Sequence, residues 1–431
     1  MFVPVVLHGD GVKFTMKNNS LMVSSMSFLL GQGFSSSHTF LLWVFAKVCK
    51  VYASVHGADS HDTIWKYIVH GFQALFAGVH SPLDPDGDAW PHGSSSWLLA
   101  GKPIADGIYR TICWLFAMDM DQASNEHGWA HFNATLDTCG WCPANRTYCN
   151  IRDVSANALW KTLLYVPGPS DRPVSRHRIW TIPGTSRFTF MGDLMHGGDL
   201  GPLLHLHGST IDELTHRGGP MYANNKATSV QNFVSALQSA YEETGTGKRV
   251  QSIVSTMIRP DDDPDAFPEL KVKAAESRHL VKAMISILKR PEIARDTDHD
   301  GHRLMCYMAI DKMYDLVMAS RLFMTADEAT LVLEYAEEFL VHYNWLATEA
   351  LDAGVIRWGM TTKFHFLWHI AWFARYQAPR ACWCYSFEDF IGKIQACAMS
   401  CTIATPMHLV PQKVFENYTR ALSLSLEKFS R

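Results

Sequence analysis

No run in the sequence approaches the ~18 consecutive apolar residues that a membrane-spanning helix needs, so a membrane partner is not expected. The first residues, MFVPVVLHGDG, hold an apolar patch too short for a secretory leader and lack a basic stretch ahead of it. They read as a β-strand beginning almost at the initiator Met, and the chain is expected to be soluble and intracellular. The basic excess of a typical DNA-binding chain is also missing: 38 Lys and Arg stand against 42 Asp and Glu, a formal charge of −4. Nucleic-acid contact would therefore have to use local basic patches. Internal repeats and low-complexity tracts are absent, which argues against a solenoid or a disordered linker protein. The ten cysteines follow no secretory pairing pattern, so free thiols or a metal site are expected instead of disulfides.

What is present is enough for a sizeable core. The 431 residues are 47% hydrophobic and 19% charged, with 14 Trp and 23 Phe. That length suits two or three domains, or one catalytic domain with a large insertion. The front of the chain is β-rich. Phe2 to His8 runs into Gly9-Asp10-Gly11, which carries a bend or turn signal. SLMVSSMSFLL follows a hairpin-like Lys17-Asn18-Asn19, and His38 to Cys49 is a further strand-like run. Near His61 the apolar spacing becomes helical, and Gly107 to Asp121 then reads as a buried strand ending in acids. From about Leu200 long amphipathic helices take over, and two more close the chain.

Several side chains carry candidate chemistry. Asp10 sits in HGDGV; Asp119 ends FAMDMD, with Asp121 beside it; Glu388 lies in CYSFEDF next to Asp389. Hard cations such as Mg²⁺ or Mn²⁺ take carboxylate oxygens, and a pair of them serves phosphodiester chemistry. Read singly, Asp10 is a turn residue, Asp119 a solvated strand-end acid and Glu388 a helix-start charge. Cys139 and Cys142 in CGWC have the spacing of half a Zn²⁺ site, with Cys149, His127, His131 or His196 available as further ligands. Asp193 and His196 form an Asp-x-x-His pair that could orient a catalytic group, bind zinc, or simply start a helix. His205, His207 and His216 lie nearby at spacings that fit no single ligand motif. Basic residues cluster at Lys248-Arg249, at Lys271, Lys273, Arg278 and Lys282, and at Lys289-Arg290, where they could face a DNA backbone or solvent. Asp296-x-Asp298-x-Asp300-Gly301 opens like a calcium loop but has Tyr307 at its twelfth position, so it reads as a solvated loop. Gly245-x-Gly247-Lys248 lacks the spacing of a phosphate loop.

Three strands with Asp10 on the first, a helix, a strand ending at Asp119 and a late helix with Glu388 together resemble the ribonuclease-H-like DDE transposases. The Cys-x₂-Cys pair, the Asp193-to-His196 signature and the run Thr362 to Arg375 before CWCYSFEDF narrow the resemblance to CACTA-type enzymes or a neighbouring superfamily. The resemblance implies a mixed α/β, ribonuclease-H-like sheet with flanking helices. Residues 1–199 would form it, 200–380 an all-α insertion, and 381–431 C-terminal helices returning the last acid to the core. It also implies Asp10, Asp119 and Glu388 as catalytic ligands of Mg²⁺ or Mn²⁺, with Asp121, Asp193, His196 and Asp389 in support. Transposon-end and target DNA would be the partners, the protein would work as a homo-oligomer, and residence would be nuclear. The opening at the first catalytic strand and the acidic balance imply a truncated or domesticated copy. A non-catalytic binding module on the same fold and a zinc-dependent hydrolase built on the His196–His216 segment are the competing readings.

Overall fold

A computed structural model describes residues 1–15, 19–31, 38–51, 59–166, 175–259 and 263–429. The turn expected at Lys17 and Asn18 lies outside them. The fold is mixed α/β, and the chain divides into two compact units: 1–131 with 166–191 and 384–431, and 132–165 with 192–383. The Cys-x₂-Cys segment thus belongs to the helical unit.

In the first unit, β1 (Phe2–Lys13), β2 (Ser20–Phe28), β3 (Thr39–Ala46) and β4 (Arg110–Ala117) form one sheet in the order β3-β2-β1-β4. β1 and β2 are antiparallel from Val5↔Phe28 to Lys13↔Ser20, whereas β1 and β4 run parallel from Phe2↔Arg110 to His8↔Ala117. Gly9-Asp10-Gly11 is therefore not a turn. Asp10 pairs with Val23 inside the strand, because the β2 ladder continues past the glycines to Lys13. Val5, Val6 and Leu7 are all buried, as are Leu21, Met22 and Val23, which requires cover on both faces of the sheet.

That cover comes from three helices. α1 (Ser60–Ala77) is capped by Asp59, whose carboxylate accepts the amides of His61 and Asp62, and it sets Trp65 edge-on to Trp43. α9 (Tyr385–Cys401) and α10 (Val410–Phe429) bring Phe390, Ile391, Ile394 and Val414 against Leu21, Val23 and Leu41. Between them in sequence, β4 leads into α2 (Met120–His127), which starts at an Asp119 cap. Both α1 and α2 end on glycines with positive φ, as helix C-termini often do.

The second unit is built on α3 (Pro202–Thr215), α4 (Lys226–Thr244), α5 (Ala274–Leu288), α6 (Asp298–Ala319), α7 (Ala326–Asp352) and α8 (Thr362–Phe373). Every residue of α3 is buried, charged ones included. Asp212 accepts a bidentate pair from Arg259 at 3.0 Å and a third bond from Arg357 at 2.8 Å. Glu213 pairs with Arg303 at 2.8 Å and His299 at 2.7 Å, and Arg303 also reaches Asp300 at 2.6 Å. The calcium-loop look-alike is thus no solvated loop. Thr297 caps α6, Asp298 and Asp300 lie in its first turn, and Asp300 is buried as a partner of Arg295 and Arg303. Likewise Gly245 is the left-handed C-cap of α4. Among the described residues no helix is long and apolar enough to cross a membrane.

Burial alone would raise the Glu213 carboxyl, but the His299 hydrogen bond and the Arg303 charge bring it down to about 2. A carboxylate depressed on folding contributes stability above its ordinary value of 4.5, and that contribution is lost as pH falls toward 2. Replacing Arg303 with Met removes one partner from each of two buried carboxylates, leaving Glu213 to His299 and Asp300 to Arg295, and is expected to cost about 3 kcal/mol. Urea denaturation of the variant checks this, and a midpoint unchanged from wild type would contradict it.

Candidate functional site

The C-terminal end of β1 gathers three of the sequence candidates within the first unit. Asp10 is half-buried, two residues beyond His8, and Asp119 is two residues beyond Ala117, the partner of His8 on β4. The parallel ladder ends at His8↔Ala117, and Asp119 lies just beyond it as the N-cap of α2. The first turn of α2 lies against this point: a Cβ on Gly9 would lie 2.9 Å from the end of the Gln122 side chain. Asp119 is oriented by accepting the Gln122 amide at 2.6 Å, and Asp10 accepts the Gly11 amide at 2.6 Å. Glu388 lies in the first turn of α9, and the preceding Phe387 stacks on His8 with ring centres 4.7 Å apart.

The supporting acids divide differently. Asp121 is exposed and accepts from Asn125, while Asp389 is exposed and pairs with Lys393 at 2.8 Å. Oxygens of Asp10, Asp119 and Glu388 do not form a set within 4.8 Å of one another among the described residues. A two-ion centre with its metals ~3.5–4 Å apart spreads its carboxylates more widely than a single ion does.

The second unit contains a tighter cluster. Cys139, Cys142, His365 and His369 are all buried, and their ligand atoms lie within 4.8 Å of one another. Cys142 Sγ is 3.4 Å from His365 Nε2, Cys139 Sγ is 3.6 Å from His369 Nε2, and the two Nε2 atoms are 3.0 Å apart. A tetrahedral zinc with Zn–S of ~2.3 Å and Zn–N of ~2.05 Å puts S and N about 3.5 Å apart and two N about 3.3 Å apart. The four side chains fit such an ion. Residues 365 and 369 are one helical turn apart on α8, so both imidazoles leave the same face. The cluster is enclosed by Trp160 against His365 and by Trp141 against His369. Lys161 and the Trp368 indole both bond Glu337, tying the short 159–162 turn to α8. Burial would push the Cys139 thiol up, but the hydrogen bond with Cys142 and the charges of His369 and His365 hold it well below the ordinary value. Cys142, buried beside that thiolate, is pushed up. The pair so gives up one proton readily, and a dication would take the second.

This donor set corrects the ligands expected from sequence. Cys149 is buried outside the cluster, in a loop where the Asn145 side chain accepts the amides of residues 147, 148 and 149. His196 is not a member either: its Nδ1 lies 2.7 Å from Asp193, whose carboxylate also accepts the amides of Met195 and His196. His127 belongs to the first unit. The second half of the site was legible as His365-x₃-His369, but amid Phe and Trp it reads as core.

His205, His207 and His216 do not converge on one another. His207 is buried between the Tyr307 hydroxyl and the Ser277 carbonyl, and His216 bonds the Glu213 carbonyl. Within the second unit, described sets of close ligand atoms include neither of them, nor His205. The basic candidates are mixed. Arg249 pairs with Glu242, and Lys282 pairs with Asp315 at 2.9 Å and Asp311 at 3.8 Å. Arg278 lies over the Trp383 ring, whereas Lys248, Lys271 and Lys273 are exposed. Burial lowers His279, and the positive charges of Arg278, Lys248 and Lys282 lower it further.

Comparison with protein-family models and with curated proteins finds no match.

Adding Zn²⁺ to metal-free protein is expected to shield Cys139 and Cys142 from a thiol reagent, and His369→Ala to abolish that shielding. Equal labelling with and without zinc would make the cluster an ordinary packed core.

Proposed function

We propose that the chain is the ribonuclease-H-like core of a DDE-type DNA transposase, of CACTA-type or neighbouring kind, for divalent-metal-dependent phosphodiester hydrolysis and strand transfer. The observation that carries this reading is Asp10 within β1 and Asp119 just past the end of β4, its parallel neighbour in a β3-β2-β1-β4 sheet, with Phe387 of the helix bearing Glu388 stacked on His8 of β1. The donors are all carboxylate oxygens, which suits Mg²⁺ or Mn²⁺. Such ions, when bound, would activate the attacking hydroxyl and stabilise the leaving oxygen. Asp10, Asp119 and Glu388 would hold them, the Gln122 amide fixing Asp119 and the Phe387–His8 stack setting the entry of α9.

In the second unit, Zn²⁺ held by Cys139, Cys142, His365 and His369 would have a structural role, since four protein ligands leave no open coordination position. Lys248, Lys271 and Arg278 would contact DNA phosphates without reading sequence. Nuclear residence and a homo-oligomer working on paired DNA ends follow from this reading. A non-catalytic DNA-binding module on the same fold is the second reading, favoured by the spread of the three carboxylates. The zinc-hydrolase reading loses support because His205, His207 and His216 do not meet.

Nicking of supercoiled plasmid in Mn²⁺ tests catalysis. Asp10→Asn, Asp119→Asn and Glu388→Gln are each expected to abolish it while leaving circular dichroism unchanged. Nicking that survives Asp10→Asn would sink the site, and DNA binding without nicking in either metal would move the conclusion to the second reading. Lys248→Ala and Lys271→Ala are expected to lower the slope of log affinity against log salt by about 1 each on duplex DNA. An unchanged slope would remove them from the DNA surface.

A further inference from the structure

In the first unit, beside β1, three histidines from distant parts of the chain meet, with a Cβ on Gly9 falling 3.6 Å from His127 Nε2. His61 lies in the first turn of α1, His127 ends α2, and His177 precedes a short 3₁₀ turn. Their ring centres form a nearly equilateral triangle of 5.1, 5.2 and 5.7 Å, and one ring nitrogen from each lies within 4.8 Å of the others. Three imidazoles on one tetrahedral ion at ~2.05 Å put their ring centres about 5.2 Å apart. His127 Nδ1 and His177 Nε2 are buried and meet no hydrogen-bond partner among the described residues. We propose that His61, His127 and His177 form a second metal site, taking a borderline divalent ion such as Zn²⁺, Co²⁺ or Ni²⁺ and leaving one coordination position for water.

The surroundings agree with that assignment. Burial holds His61 and His177 down at about 4 and His127 well below its ordinary value, so the rings are neutral, as ligands must be. The carboxylates of Asp59, Asp62 and Glu126 act on these rings, Asp62 being paired with Arg178 at 2.7 Å and Glu126 with Lys50 at 2.9 Å. Gly128, with φ +67, lets the 175–177 segment approach, since a Cβ there would lie 2.2 Å from Ser175 Oγ. Three hydrogen bonds resist loading. The Trp65 indole donates to His61 Nε2 and the Ile179 amide to His177 Nδ1, both at 3.1 Å, and the Gln122 side-chain amide lies 3.4 Å from His127 Nε2. An ion at those nitrogens displaces the donors. At the other nitrogens it drives the ring protons round to face them. Either way Trp65, which touches all three rings, reports the event.

The test titrates Co²⁺ into full-length Cys142→Ser protein, where the Cys/His cluster is disabled. One equivalent is expected to bind, with d–d absorption, no thiolate-to-cobalt charge-transfer band, and quenching of tryptophan fluorescence. His177→Gln in a wild-type background is expected to lose that quenching and keep the thiolate band. No cobalt bound by Cys142→Ser protein, or binding unaltered by His177→Gln in the Cys142→Ser background, would overturn the proposal. A missing thiolate band in wild-type protein would fail the Cys/His cluster alone.

Discussion

Strand β1 is hydrogen-bonded along both edges, antiparallel to β2 and parallel to β4, and buried on both faces. Nearly everything in the first unit follows from that double constraint. A strand so held cannot slip by one residue without turning Val5 and Leu7 to the wrong face, so the register of Asp10 is fixed by packing some distance away. The parallel pairing matters separately, because it requires a long crossover between β1 and β4 and sends both strand ends in the same direction. Two acids arriving at one edge is thus a product of topology, and their side chains need only short additional devices: an amide from Gln122 for one and from Gly11 for the other.

The second unit rests on a different balance. Its central helix α3 buries Asp212 and Glu213 among arginines contributed by the segments around 259, 303 and 357. Ion pairs of this kind add little net stability over apolar residues of equal size, yet each partner becomes indispensable once the other is buried. They register helices against one another more than they strengthen the fold.

Much of the secondary structure was legible from sequence. The Val-rich run from Phe2, SLMVSSMSFLL and His38 to Cys49 read as strands and the spacing from His61 as a helix, and β1, β2, β3 and α1 lie there. The Gly-Asp-Gly signal misled, because the ladder with β2 carries the strand past both glycines to Lys13. The Cys/His cluster was half visible. Its cysteines announce themselves by spacing, but its histidines sit 223 and 230 residues away in an aromatic helix whose hydrophobicity masks them. The triangle of His61, His127 and His177 had no local signal at all, since each residue looks ordinary among its own neighbours. Asp298 and Asp300 looked like a solvated loop because acids favour helix starts as much as water.

The separation across the Cys/His cluster has a mechanical consequence. Cys142 and His365 are 223 residues apart, so with an ion in place the helices between them lie within a closed loop of the chain. Pulling on residues 132 and 383 would load the metal–ligand bonds before it loaded those helices. Roughly 750 Å of contour length would stay hidden until a ligand let go. The helical unit would behave under tension as a short, stiff link with a large reserve of slack behind one catch.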